Sequence, residues 1–207
     1  MISVIDYGAG NMHSVERALK ILNIKYDLTS ETGDSELTNY QGVILPGVGA
    51  AADTMAALEE RGLTDPIRGL VASGRPFLGV CMGLQVLYEF SEEDGGTDCL
   101  GILPGTIRKF SDRLHVPHMG WNQVVTSKPT RLLKGIPSGS NFYFVHSYYA
   151  SKSDTTAATT DYGIEFESVL TQENVYATQF HPEKSGKIGL QVYANFATIC
   201  GIAHSND

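Results

Sequence analysis

No run of about 18 consecutive apolar residues occurs in this chain, so a membrane-spanning helix is not expected. Basic residues are scarce as well. Fifteen Lys and Arg against 23 Asp and Glu leave a net charge of -8, without the basic footprint that nucleic-acid binding needs. The three cysteines, Cys81, Cys99 and Cys200, are odd in number and never at C-x-x-C spacing. That disfavours a disulfide framework and a zinc site, and fits a reducing cytoplasm. The six histidines show no H-x-x-x-H spacing, so no metal and no cofactor are expected. Met1 to Asp6 has neither a basic segment nor a long apolar one, so no signal peptide is expected. Internal repeats and low-complexity tracts are missing too, and no break in composition divides the chain. A single domain over residues 1–207 is the expectation.

What is present begins with a rhythm of strands and helices. Ile2 to Asp6 reads as a buried strand, Gly8-Ala9-Gly10 as a tight turn, and Asn11 as the N-cap of a helix. Val15, Ala18, Leu19 and Leu22 then recur at helical spacing. Gly42–Leu45 is a second strand, closed by Pro46-Gly47-Val48-Gly49, and a helical stretch over 53–72 is interrupted near Gly62 and Pro66. The Phe77–Val80 strand leads into a helix expected over Met82–Phe90. Later strands are expected at 106–110, 122–125, 141–147, 157–160, 164–170 and 175–180. In the fifth of these, Ile164-Glu165-Phe166-Glu167 alternates as a half-exposed antiparallel strand would. A last helix covers 186–200. The fold class is therefore α/β: a central, mostly parallel sheet with flanking helices, extended by antiparallel strands.

Two segments a hundred residues apart carry the chemistry. Gly79-Val80-Cys81-Met82-Gly83 stands between an apolar strand and an apolar helix, the setting of a nucleophile elbow. Glycines two residues either side of Cys81 remove Cβ atoms that so sharp a turn would not accommodate. A free thiol has a pKa of about 8.5, and the N-terminus of a following helix favours the thiolate. In His181-Pro182-Glu183 the proline biases His181 to an extended backbone, so His181 and Glu183 project to one side. His181 is then base and acid to Cys81, with Glu183 fixing the imidazole tautomer. Oxyanion donors are expected from the backbone of Met82 and of the Val48-Gly49 turn. A cysteine hydrolase is the reading.

These segments, with Gln85, resemble the class I (triad) glutamine amidotransferase family. Within it, Asp6-Tyr7-Gly8-Ala9-Gly10-Asn11 and His118-Met119-Gly120-Trp121-Asn122 are similar to the glutaminase subunits that serve imidazole glycerol phosphate synthase. Phe144-Val145-His146-Ser147-Tyr148 and His181-Pro182-Glu183-Lys184-Ser185 belong to the same likeness. The resemblance implies glutamine hydrolysis through a γ-glutamyl thioester on Cys81. Gln85 and Glu93 would hold the substrate's amino-acid end, the latter through its α-ammonium. Backbone groups around Gly49 and His146-Ser147-Tyr148 would take its α-carboxylate. Asn11, Trp121, Asn122 and Lys184 would face a cyclase partner, a (β/α)8 barrel that receives the ammonia. The triad motif alone does not choose among amidotransferases. The alternatives are the glutaminases of pyridoxal phosphate and anthranilate synthesis, a stand-alone γ-glutamyl hydrolase and a silent regulatory subunit.

Overall fold

A computed structural model describes residues 1–8, 11–31 and 37–205; Ala9 and Gly10 of the expected turn lie outside them. In chain order the strands and helices are β1 (Ile2–Ile5), α1 (Met12–Ile21), β2 (Tyr26–Thr29), β3 (Gly42–Gly47), α2 (Ala51–Glu60), α3 (Thr64–Ala72), β4 (Phe77–Cys81) and α4 (Met82–Gln85). There follow β5 (Phe90–Ser91), β6 (Thr97–Asp98), β7 (Thr106–Lys109), β8 (His118–Thr126), β9 (Ser140–His146) and β10 (Tyr148–Ala150). The chain closes with β11 (Thr156–Asp161), β12 (Glu165–Gln172), β13 (Val175–Thr178) and α5 (Gly186–Ile199).

Nine strands form one sheet in the order β2-β1-β3-β4-β13-β12-β11-β8-β9. The first five run parallel, and every pairing from β13 outward is antiparallel. The expected antiparallel extension is thus part of the same sheet, whose parallel half is followed by an antiparallel one. A second sheet, β10-β7-β5-β6, lies apart from it. Apolar residues cover both faces of the large sheet. Ile2 and Val4 of β1 join a core with Val15 and Leu19 of α1 and Val192 and Phe196 of α5. Ile5, one position further, joins Leu58 of α2 and Ile67 and Leu70 of α3 on the opposite face. This is the alternation a pleated strand imposes when helices cover both sides. No helix among the described residues is long and apolar enough to cross a membrane.

Two expected elements differ. The helix after Cys81 ends at Gln85 instead of reaching Phe90. Carbonyls that would have continued it are taken from outside: Val86 O accepts from Leu100 N, Leu87 O from Ile102 N and Leu103 N, and Tyr88 O from Gly101 N. The apolar run Leu84–Tyr88 is buried all round, so its spacing carries no helical signature that continues or stops. The alternation at 164–167 also misleads, because Glu167 is fully buried. Its carboxylate accepts hydrogen bonds from the Tyr88 hydroxyl and, at 2.7 Å, from Thr156 Oγ1. Three hydroxyls reach it in all, with Thr155 Oγ1 at 3.3 Å. A buried carboxylate so surrounded stays in place, and removing it strands its donors. Glu167→Ala is therefore expected to lower stability by about 2–4 kcal/mol, read from a shifted denaturant midpoint at unchanged slope.

Candidate active site

The position of Cys81 follows from glycine packing. Cys81 closes β4 with φ 54° and ψ -104°, a strained conformation for a residue with a Cβ. A Cβ on Gly83 would stand 1.9 Å from Leu45 O, and one on Gly79 would stand 2.4 Å from Gly83 O. Only glycine lets the chain turn this tightly against β3. Gly47, the last residue of β3, is the register partner of Cys81, so the Val48-Gly49 segment emerges directly beside the elbow.

β13 brings His181. It lies parallel to β4 with Thr178 opposite Val80, so the segment that follows leaves the sheet next to Cys81. His181 is extended there (φ -98°, ψ 101°), and Glu183 sits in a single 3₁₀ turn over Pro182–Lys184. Glu183 Oε1 lies 2.8 Å from His181 Nδ1, which places the ring proton on Nδ1 and leaves Nε2 for chemistry. Nε2 is buried, and Cys81 is the group whose charge and hydrogen bonding act on it. Desolvation disfavours an imidazolium here, yet the charge of a Cys81 thiolate and the hydrogen-bonded Glu183 outweigh it and raise the imidazole pKa. The site therefore favours His181 as the imidazolium.

Cys81 and His181 open into one cavity of about 270 Å³, lined also by Val48, Gly49 and Met82. Gln85, Glu93, His146, Ser147 and Tyr148 form the rest of its predicted wall. Gln85 is not a solvated helix position: its Nε2 donates to Tyr148 O at 2.9 Å and to Gln179 Oε1 at 3.1 Å. Glu93 Oε2 accepts from Ala51 N at 2.7 Å, at the start of α2, and burial raises its pKa.

Several contributors were not foreseen. Pro117 and Val145 also line the cavity. Gln179 Nε2 points to Cys81 Sγ at 3.7 Å, and Tyr193 of α5 donates to Glu183 Oε2 at 3.2 Å. Gln179 stands two residues before His181, and that same alternation would have found it. Tyr193 left no local signal.

Outside the cavity the expected partner-facing residues separate. Trp121 is 59 % exposed and Met119 61 %, on the outward side of β8. The Trp121 ring meets Tyr143 edge-on at 6.1 Å, and Lys184 Nζ lies 5.8 Å from the Tyr143 ring centre. Asn11 precedes α1, which packs on the Pro182–Lys184 turn; its side chain accepts from Ser14 Oγ at 2.9 Å rather than capping the helix. Asn122 departs from the expectation. As its neighbour Trp121 points out, Asn122 points in, and its amide bonds His118 Nε2 at 3.2 Å and Asp161 O at 2.9 Å.

The family model for "Glutamine amidotransferase class-I" matches residues 3–200. The chain belongs to the class-I glutamine amidotransferases. It is 50 % identical to the imidazole glycerol phosphate synthase subunit HisH of Dehalococcoides mccartyi (strain CBDB1), over 95 % of this chain and 96 % of that one. The HisH subunit of Desulfitobacterium hafniense (strain DSM 10664 / DCB-2) is 48 % identical, over 95 % and 93 %. Among solved structures, a glutamine amidotransferase from Thermotoga maritima superposes with a TM-score of 0.66 at 15 % identity, covering 96 % of this chain and 82 % of that one, a likeness of fold. The amidotransferase is thus an α/β enzyme with a mixed sheet, and the relatives it matches along nearly their whole length are subunits of a larger synthase.

The other two cysteines are buried, and burial pushes Cys99 up to about 11 and Cys200 up to about 12. At pH 7.5 fewer than about one in a thousand of either is thiolate. Iodoacetamide at that pH is expected to label Cys81 well before Cys99 or Cys200, read by peptide mass spectrometry. Equal labelling of all three would contradict this account of the site.

Proposed function

We propose that this chain, as one domain over residues 1–207, is the glutaminase subunit of imidazole glycerol phosphate synthase in histidine biosynthesis. The observation that carries the chemistry is the His181–Glu183 hydrogen bond at the mouth of the elbow, with Cys81 across the same cavity. Near-half identity to HisH subunits over almost all of their length supports the choice of synthase.

The Cys81 thiolate attacks the side-chain amide carbon of glutamine, forming a C–S bond and a tetrahedral oxyanion. Backbone N–H groups of Val48 or Gly49 and of Met82 stabilise that charge. His181, as imidazolium, gives its Nε2 proton to the departing nitrogen, so the C–N bond breaks and ammonia leaves a γ-glutamyl thioester. Water then adds to the thioester with His181 as base, and glutamate departs as Cys81 regains its thiolate. Glu183 keeps the imidazole in the productive tautomer throughout, and Tyr193 holds Glu183. At the other end of the substrate, Glu93 and the free Gln85 Oε1 suit the α-ammonium, while backbone donors near Gly49 and Ser147 suit the α-carboxylate.

Ammonia passes to a cyclase partner, a (β/α)8 barrel, in the cytoplasm. Its docking face on this chain is the exposed Trp121 with the half-buried Tyr143 and Lys184 beside it and Asn11 nearby. An exposed tryptophan is what interface cores are enriched in, and Lys184, which forms no salt bridge among the described residues, suits the polar rim.

Glutamine hydrolysis is expected to be slow for the chain alone and to rise strongly once the cyclase and its nucleotide are added. Cys81→Ser should lower kcat of the complex by about a thousandfold or more. Fast turnover alone, indifferent to the barrel, would favour a stand-alone hydrolase. Glu93→Gln keeps the shape and loses the charge. It should raise the KM for glutamine about 10–100-fold, the worth of one hydrogen bond to a charged group, with little change in kcat in steady-state assays.

A further inference from the structure

Two buried histidines have no part in the mechanism above. His118 of β8 and His146 of β9 are register partners across the antiparallel pair, 3 % and 6 % exposed. All four of their ring nitrogens are engaged. Asn122 Nδ2 lies 3.2 Å from His118 Nε2, His118 Nδ1 2.9 Å from His146 Nε2, and His146 Nδ1 2.7 Å from Tyr148 O. Desolvation lowers the pKa of His118 to about 4 and that of His146 to about 3, so each ring carries one proton at neutral pH.

That single proton has one place to be on each ring. Tyr148 O can only accept, so His146 carries its proton on Nδ1 and accepts at Nε2. His118 must then donate from Nδ1, and its Nε2 accepts from the Asn122 amide. The second lone pair of Tyr148 O takes one hydrogen of Gln85 Nε2, and Gln179 Oε1 takes the other. Both amide hydrogens of Gln85 are thereby committed, and Gln85 Oε1 is left buried, with no hydrogen-bond partner among the described residues, on a residue that lines the cavity. Packing alone does not call for histidine at 118. Its ring stacks on Tyr162 at 4.0 Å and on Phe144 at 4.9 Å, contacts a phenyl ring would make as well. What imidazole adds is a donor on one side and an acceptor on the other.

We infer that Asn122, His118 and His146 are a tautomer-locked positioning relay, which fixes the Tyr148 carbonyl and through it turns the Gln85 carbonyl oxygen to the substrate. The inference rests on the glutaminase reading for the identity of that substrate. The relay acts on substrate binding and transfers no proton. Loss of its donor leaves the Tyr148 carbonyl and the Gln85 amide free to reorient, which weakens the ground-state and transition-state complexes alike and so raises KM rather than lowering kcat.

Two measurements test it. Nitrogen-15 NMR of the histidine rings in the wild-type chain at pH 7 should find the proton of both His118 and His146 on Nδ1. A proton on Nε2, or an imidazolium, at either ring overturns the relay, and this result is independent of any activity. In the active complex, His146→Phe should raise the KM for glutamine about tenfold with kcat near wild type, the size expected for losing one hydrogen bond. His146→Asn places an amide N–H where Nδ1 stood, so it should bring KM most of the way back even though the smaller side chain melts earlier. An unchanged KM in the Phe variant, or an equal rise in both, overturns the inference. A wild-type complex that hydrolyses no glutamine would refute the glutaminase reading instead, and leave the NMR result to judge the relay.

Discussion

The parallel pairing of β4 between β3 and β13 is the constraint on which the rest of this molecule depends. Parallel strands end on the same side of a sheet, and three adjacent ones deliver their following loops to one place. β3 delivers Val48 and Gly49, β4 delivers Cys81, and β13 delivers His181. Residues about a hundred positions apart in sequence become neighbours because Thr178 stands opposite Val80 rather than one position away. A one-residue slip would turn each side chain of β13 to the opposite face, taking the base from the nucleophile. The glycines at 79 and 83 serve this same arrangement. They let α4 begin against the Leu45 carbonyl, and so the strained Cys81 is held by a packed surround rather than by its own preference.

A second feature is how the interior treats polar groups. Glu167, His118, His146, Gln85 and Gln179 are all buried, and each is tied into a hydrogen-bonded set rather than left as an isolated charge. Burial makes a hydrogen bond directional and an error costly, so such sets hold one arrangement against its alternatives. Glu167 does this between Tyr88, past the end of α4, and the strands β11 and β12. The histidine pair does it between β8, β9 and the cavity wall. The two sets stabilise by ordinary means, yet the second also determines which atom of Gln85 meets a ligand.

Exposed Trp121, with half-buried Tyr143 and Lys184 beside it, sits on the reverse of these same strands. His181 N donates to Tyr143 O, and Ser185 Oγ bridges His181 O and Tyr143 N, so the triad turn and the aromatic surface share a backbone seam. A partner that contacts Tyr143 therefore contacts the frame of the base. Coupling between the two faces needs no long path here, because β8 and β9 are one strand pair with two sides.

Much of this was readable from the residues. The Gly79–Gly83 elbow, the His181-Pro182-Glu183 segment and the period of α1 are local signals, since each states its own backbone geometry through glycine, proline or spacing. Cys81 and His181 were named from such signals, Gln85 and Glu93 from the family resemblance, and all four line one cavity. What sequence could not state was anything set by a contact between distant segments. The run after Cys81 looked helical to Phe90, but carbonyls of residues 86–88 are claimed by residues 100–103. Glu167 looked exposed by alternation, and the hydroxyls of Tyr88, Thr156 and Thr155 make its burial tolerable. Asn122 looked like a surface partner of Trp121 until the pleat turned it inward onto His118. The sequence by itself determined the chemical groups and the turns that present them, because those depend on neighbours a few bonds away. Tertiary structure alone decided which groups meet, which are buried and which tautomer each histidine holds, because those depend on the register of strands that the chain brings together from far apart.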